Sequence, residues 1–203
     1  MNKIGLIAAM IVELPSSIRY SKKGSNIFQF SSYQFKTQVS GIGFNNASIT
    51  VERMCLDFKP DLLILLGFCG GVGPALDIGD LCIPDEVHYE IKVNSSLLKL
   101  IRTRMDDKSL KYHTFSMQTF NQPVLDKNKV SDGIYCVDME AFEVLQKASE
   151  KSVPAIVVKS VTDVIPDKKP LLFTNVYPAI RILMNYSRIK KSLDTFFEEI
   201  ILS

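Results

Sequence analysis

Three carboxylates in unlike local settings carry most of the chemical information in this chain. Glu13 follows an apolar run, Glu140 closes Val-Asp-Met-Glu, and Asp163 lies in Ser-Val-Thr-Asp-Val. Surroundings shift each carboxyl group separately, so such residues can divide the roles of general acid and general base. With the glycine-rich turn Gly67-Phe68-Cys69-Gly70-Gly71, where bare backbone lets a ligand approach closely, they fit a site that breaks a bond to a sugar. Taken singly, each has a plainer reading. Glu13 reads as a solvated helix-start carboxylate, Glu140 as a first-turn helix residue, and Asp163 as a turn or capping residue.

Other reactive residue types add less. Cys69 lies in the glycine turn, but no His is placed locally to activate it, and free cysteine behaves as a small buried hydrophobe. Cys55, Cys69, Cys82 and Cys136 lack metal-ligand spacing and suit reduced, buried thiols; no metal or cofactor is expected. His88 and His113 have no partner identifiable in the sequence and read as structural or surface residues. Gly41 and Gly43 do not form a dinucleotide fingerprint.

The elements that must position the carboxylates alternate between strand and helix. Lys3 to Ala9 reads as a strand, and Glu13-Leu14 as a short helix stopped near Pro15 or displaced by it. Phe28 to Tyr33 and Gln34 to Val39 read as a hairpin, followed by the turn Ser40-Gly41-Ile42-Gly43 and a helix over Asn45 to Phe58. Asp61 to Leu66 is the clearest buried strand, ended by the glycines. Short strands are predicted at Leu81 to Ile83 and Glu86 to Val93, then a helix from Asn94 to Arg104. Thr114 to Phe120 reads as a strand leading into the loop Asn121-Gln122-Pro123. Gly133 to Val137 is a further strand, Met139 to Glu150 a helix, Ala155 to Val161 a buried strand, and Val176 to Leu202 one or two helices. This pattern implies an α/β fold, a mostly parallel or mixed sheet with helices on both faces, in one domain spanning residues 1–203. Ligands of such sheets collect outside the carboxyl ends of strands, and Glu13, the Gly67 turn, Phe120, Glu140 and Asp163 all fall shortly after predicted strands.

Composition narrows the partners. The 203 residues are 46% hydrophobic and 23% charged, as in a globule with a real core. The net charge is only +2 and the basic residues are dispersed, which argues against nucleic acid or a polybasic membrane contact. Ile4 to Met10 is too short to span a membrane and has no secretory cleavage site. Small molecules, copies of the chain itself and a cytoplasmic location are expected.

In order, Ile-Ala-Ala-Met-Ile-Val-Glu, Ser-Gly-Ile-Gly, Gly-Phe-Cys-Gly-Gly, Val-Asp-Met-Glu-Ala and Ser-Val-Thr-Asp-Val resemble the methylthioadenosine/S-adenosylhomocysteine nucleosidases of the purine nucleoside phosphorylase superfamily. The resemblance runs from Lys3 to about Phe173. It implies a three-layer sandwich with a central mixed, mostly parallel twisted sheet, and a homodimer; the apolar residues around Ile42 to Ala47 and Met54 suit a subunit contact as well as a core. It implies Glu13 as the base that activates water and Asp163 as the acid that delivers a proton toward purine N7. Glu140 would accept the ribose 2′ and 3′ hydroxyls, Met139 would press on the sugar, and Phe120 would stack near the base. Phe68, Cys69 and Gly70 would contribute walls, and Ile42 and Phe173 would lie near the 5′ pocket.

The resemblance also bears on reaction and substrate. Phosphorylases of the superfamily hold phosphate with arginines and a glycine in the N-terminal loop, where this chain has Met10-Ile11-Val12-Glu13; a carboxylate there repels phosphate and suits hydrolysis. Between Tyr89 and the helix near Asn94 the chain lacks a longer family loop, and bulky Phe68 stands where a small residue is usual. Both differences alter the walls around the 5′ group and favour futalosine, a menaquinone-route nucleoside with a large 5′ extension, over methylthioadenosine or S-adenosylhomocysteine. A nucleoside-binding protein without turnover is the reading from a different class, and the retention of both an acid and a base argues against it.

Overall fold

The structure, a computed structural model, describes residues 2–19, 26–72, 75–88, 91–165 and 177–203. The chain begins with β1 (Asn2–Ala8), a single 3-10 turn (Ile11–Glu13) and α1 (Ser16–Arg19). Pro15 therefore separates two helical turns: the first closes at Glu13 and the second opens at Ser16. β2 (Ile27–Phe30) and β3 (Tyr33–Val39) pair antiparallel with Phe30 opposite Tyr33. Ser31 turns the chain with φ 52°, a left-handed conformation suited to a two-residue hairpin loop.

After α2 (Phe44–Asp57) comes β4 (Leu62–Gly71), which corrects the sequence reading of its second half. Gly67 to Gly71 is not a turn but the continuation of the strand. It stays extended because both edges find partners: β11 (Ala155–Val164) runs parallel to it from Leu63 to Gly71, and β10 (Cys136–Asp138) pairs antiparallel at Gly70 and Gly71. The short strands are β5 (Leu81–Cys82), β6 (Glu86–Val87), β7 (Ile91–Lys92), β8 (Tyr112–His113) and β9 (Ser116–Thr119). The stretch expected as one strand from Glu86 to Val93 is instead the antiparallel pair β6–β7, which reverses after His88 at φ 57°. Tyr89 itself lies outside the described residues, as does the start of the shortened segment.

The helices are α3 (Ser95–Asp107), α4 (Ala141–Glu150) and α5 (Tyr177–Phe196), the last continuing into a π turn at Phe197–Ile201. Asn94 caps α3 by accepting from Leu97 N at 3.0 Å. α2 and α4 pack together, and α5 lies along β11.

Pairings within the sheet are mixed and mostly parallel. β1 runs parallel to both β3 and β4, whereas β2–β3, β4–β10, β5–β11 and β6–β7 are antiparallel. Two branches leave β4, one through β10, β9 and β6 and the other through β11 and β5; the short segment between Cys82 and Glu86 joins their ends. Aliphatic side chains of β1, β4 and β11 fill the core, with Leu6, Ile64, Leu65, Ile156 and Val157 fully buried. The unbroken apolar runs follow from strands covered on both faces. Because β1, β4 and β11 are parallel, their carboxyl ends share one edge, and the cavity opens there.

Candidate active site

Glu13 is carried by the 3-10 turn beyond β1 and is buried at 3% exposure. Its two oxygens accept backbone hydrogen bonds from Met10 N at 2.8 Å and Phe68 N at 3.0 Å. Burial pushes its carboxyl up to about 7 and outweighs the opposing pull of Lys159 and of the two backbone donors. A group poised near neutrality exists in both forms at working pH, which suits proton exchange with water.

Beneath it lies Lys159, fully buried on β11, with Nζ 2.9 Å from Asp138 Oδ2 and 3.2 Å from Glu140 Oε2. Burial alone would strip its proton, but Asp138, Glu140 and Glu13 together hold its pKa above the ordinary lysine value. The lysine is the counter-ion of an acidic cluster assembled from three segments: the 3-10 turn, the β10–α4 junction and β11. Asp138 is itself fixed: Oδ1 accepts from Thr119 Oγ1 at 2.7 Å and Oδ2 from Ala141 N at 2.9 Å. The sequence carried a signal for both residues. Lys159 is the lone charge between Ala155 and Val161, and Asp138 precedes Glu140 by two positions in Val-Asp-Met-Glu.

Gly67 explains how the cluster packs so closely. A Cβ there would stand 3.0 Å from Lys159 Nζ and 3.2 Å from Glu13 Oε1. Glycine at this strand position leaves room for the lysine and the carboxylate to meet across β4.

Glu140 stands at the N-cap of α4, not within its first turn, and makes no side-chain capping bond. Its carboxylate turns inward, with Oε1 accepting from Gly43 N at 3.1 Å and Oε2 from Lys159. Gly43 has φ 99°, a conformation that side chains rarely adopt, so the Ser-Gly-Ile-Gly turn aims this N–H by virtue of its glycine. Asp163 is within β11, where a register shift after Val161 marks a bulge. It is neither a turn nor a cap. Thr162 Oγ1 lies 2.8 Å from Asp163 Oδ1 and 3.1 Å from Cys69 O.

The cavity is lined by Glu13, Glu140 and Asp163, together with Met139, Ile42, Phe68, Cys69 and Gly70. Met10 and the loop residues Gln122, Pro123, Val124 and Leu125 add walls that the sequence reading missed. Phe120 is not in the lining. It packs against the satellite cluster of Ile134, Val137 and Ile165, just past the end of β9. Phe173 lies outside the described residues. Cys69 combines wall and core: hydrogen bonds with Cys136 and Cys82, together with burial, hold its thiol well above the ordinary value, which disfavours a thiolate nucleophile.

Both histidines have partners after all. His113 Nε2 lies 2.9 Å from Asp80 Oδ2, and His88 Nε2 accepts from Thr119 N at 2.8 Å. Of the residues expected to serve a subunit contact as well as the core, Ala47 and Met54 are fully buried in this chain's own core and Ile42 is about half exposed, as is Ile49. Among the described residues no helix is long and apolar enough to cross a membrane.

Comparison with known proteins agrees with a mixed sheet flanked by helices. The chain matches the phosphorylase superfamily over residues 4–180 and belongs to it. Curated relatives include the 5′-methylthioadenosine/S-adenosylhomocysteine nucleosidase of an Exiguobacterium species, 25% identical over 84% of this chain and 89% of the relative. The enzyme of the same name from Buchnera aphidicola is 28% identical over 79% of this chain and 84% of its own. Among solved structures, the Helicobacter pylori nucleosidase of that name, bound to butyl-thio-DADMe-Immucillin-A, superposes with a TM-score of 0.81 at 19% identity, covering 99% of this chain and 98% of the other. Futalosine hydrolase of Helicobacter pylori gives 0.80 at 17% identity, covering 98% and 97%. These structural likenesses establish the fold.

Proposed function

We propose that this chain hydrolyses the N-glycosidic bond of a 5′-substituted purine nucleoside and releases the free base. The observation that carries the proposal is the buried Glu13 carboxyl, poised near 7 beside the Lys159–Asp138–Glu140 cluster and open to the cavity. Glu13 takes a proton from water as the water attacks the anomeric carbon. Asp163 delivers a proton toward N7, so the purine leaves as a neutral molecule. The Thr162 hydroxyl has one hydrogen for two acceptors; when it serves Cys69 O, a proton on Asp163 completes the second contact. Glu140 receives the 2′ and 3′ hydroxyls and Met139 packs against the sugar.

Cleavage builds positive charge on the ribose, and three carboxylates around one lysine leave an anionic surplus that stabilises it. The same surplus disfavours phosphate. Among the described residues lining the cavity there is no arginine, and Lys159 is engaged with Asp138 and Glu140. Water is therefore the nucleophile.

The names of the curated relatives support methylthioadenosine or S-adenosylhomocysteine as the substrate. The second reading, futalosine, draws on bulky Phe68 in the cavity wall and on the likeness in fold to a futalosine hydrolase. The chain works as a cytoplasmic homodimer in this account, with half-exposed Ile42 and Ile49 available to a partner and four free cysteines suited to a reducing compartment. A side-by-side assay of free-base release from methylthioadenosine, S-adenosylhomocysteine, futalosine and inosine tests the proposal. Release from at least one 5′-substituted nucleoside is expected. Binding of all four without release would convert the reading to a nucleoside-binding protein.

A further inference from the structure

The segment that carries Glu13 is held from behind by the C-terminal helix. Lys190, on α5 and only 5% exposed, reaches across 176 positions of sequence to donate to the carbonyl of Leu14 at 2.6 Å. Asp194, one helical turn later, lies 2.5 Å from Lys190 Nζ. Its other contacts continue the same segment: Ser16 N donates to Oδ1 at 2.8 Å and Ser16 Oγ to Oδ2 at 2.7 Å. Two hydrogen bonds to the backbone, at Leu14 O and Ser16 N, and a third to the Ser16 hydroxyl thus grip the chain on both sides of Pro15, beginning at the residue next to Glu13.

Local structure alone fixes this stretch poorly. The 3-10 turn is three residues long, α1 is four, and Pro15 has no N–H to contribute. A buried lysine is costly unless it is paired, and here the pairing is spent on a loop carbonyl and an aspartate that itself binds the loop. Neither side chain is in the lining of the cavity, and neither figures among the charges that set the Glu13 carboxyl. Their connection to the site runs through the backbone.

We infer that Lys190 and Asp194 are positioning residues for Glu13, forming a clamp through which α5 sets the depth of the base-bearing turn. The inference rests on the proposed role of Glu13, and it makes α5 a working part of the site although it touches no reacting atom. If the clamp is loosened, the turn carrying Glu13 lifts and water enters. Desolvation is the dominant cause of the high Glu13 value, so that value falls toward the ordinary carboxylate range.

The test is a carboxyl-carbon NMR titration of full-length wild type, Lys190→Met, Asp194→Asn and the milder Ser16→Ala, with the Glu13 signal assigned by its loss in Glu13→Gln. Positioning predicts that the Glu13 midpoint moves down in both Lys190→Met and Asp194→Asn, and by less in Ser16→Ala. Direct charge effects predict opposite directions for the first two, since one removes a positive charge and the other a negative one. Turnover is expected to drop by about 10- to 100-fold in Lys190→Met, the scale of a small misplacement of a reacting group, with KM changed far less. Folded variants with a wild-type Glu13 midpoint, or midpoints moving in opposite directions, would overturn the clamp. Should Lys190→Met fail to fold, the charge-neutral Ser16→Ala decides the matter, because Asp194→Asn lowers the midpoint under either explanation. The titration does not depend on turnover, so absence of activity toward every nucleoside in the wild type would count against the proposed function and leave the clamp to be judged by the NMR signal.

Discussion

Replacing Glu13 with glutamine should cut activity by orders of magnitude and gain stability relative to wild type as the pH rises toward neutrality. Burial raises the Glu13 carboxyl from 4.5 to about 7. Each unit is worth about 1.4 kcal/mol, so ionising Glu13 costs about 3 kcal/mol more in the folded protein than in the unfolded chain. The sign follows from linkage. A group whose folded value is raised contributes stability that is fully present below the unfolded value and is lost as pH climbs through the folded one. Wild type therefore sheds about 3 kcal/mol from this residue between roughly pH 4.5 and 7, and glutamine, with no proton to lose, sheds none. Its amide can accept only one of the bonds now donated by Met10 N and Phe68 N, which costs about 1–3 kcal/mol at every pH. The informative quantity is thus the difference between the two proteins as a function of pH. Urea unfolding at pH 5, 6, 7 and 8 should show Glu13→Gln gaining on wild type across that interval and levelling off above it. Turnover in the same variant should fall by about 10²–10⁴-fold, the usual contribution of a general base. Parallel stability curves would refute the claim that Glu13 is poised by burial.

Asp163→Asn should lower turnover by about two orders of magnitude or more with the fold intact, measured as free-base release and circular dichroism; near wild-type rates would remove Asp163 from the mechanism. Lys159→Met leaves Asp138, Glu140 and Glu13 without their shared counter-ion and should destabilise the protein by about 3–5 kcal/mol in chemical unfolding. An unchanged midpoint would mean that the carboxylates find compensation elsewhere. Gly67→Ala inserts a methyl 3.0 Å from Lys159 Nζ and 3.2 Å from Glu13 Oε1. Its turnover should drop by about tenfold or more through misplacement of the base, and a fully active alanine variant would show that the cluster yields freely.

The strands and helices were legible where periodicity and punctuation agreed. Asp61 to Leu66 read as buried strand because its aliphatic run has no polar face, and Ala155 to Val161 likewise. The failures share one cause. Gly67 to Gly71 and Thr162 to Val164 carry turn-like residues, yet they are strand because neighbours far away in sequence pair with both edges of β4 and hold β11 beside it. Local propensity cannot register such partners. The carboxylates were legible through motif order, and their surroundings were not. The proximity of Lys159 to Asp138 and Glu140, the Gly43 N–H on Glu140, and the grip of Lys190 on Leu14 O all join segments that only the folded sheet brings together. Phe120 shows the converse: its place in the sequence suggested the cavity, and an apolar cluster beside the cavity claimed it.

The central claim is that water, activated at Glu13, attacks the sugar. The most direct measurement is product analysis in ¹⁸O-labelled water, with and without added phosphate, using whichever nucleoside the panel shows to be cleaved. Free purine, a sugar carrying one ¹⁸O at the anomeric carbon and a rate indifferent to phosphate are the predicted results. Formation of ribose 1-phosphate derivatives, or cleavage that requires phosphate, would contradict the account.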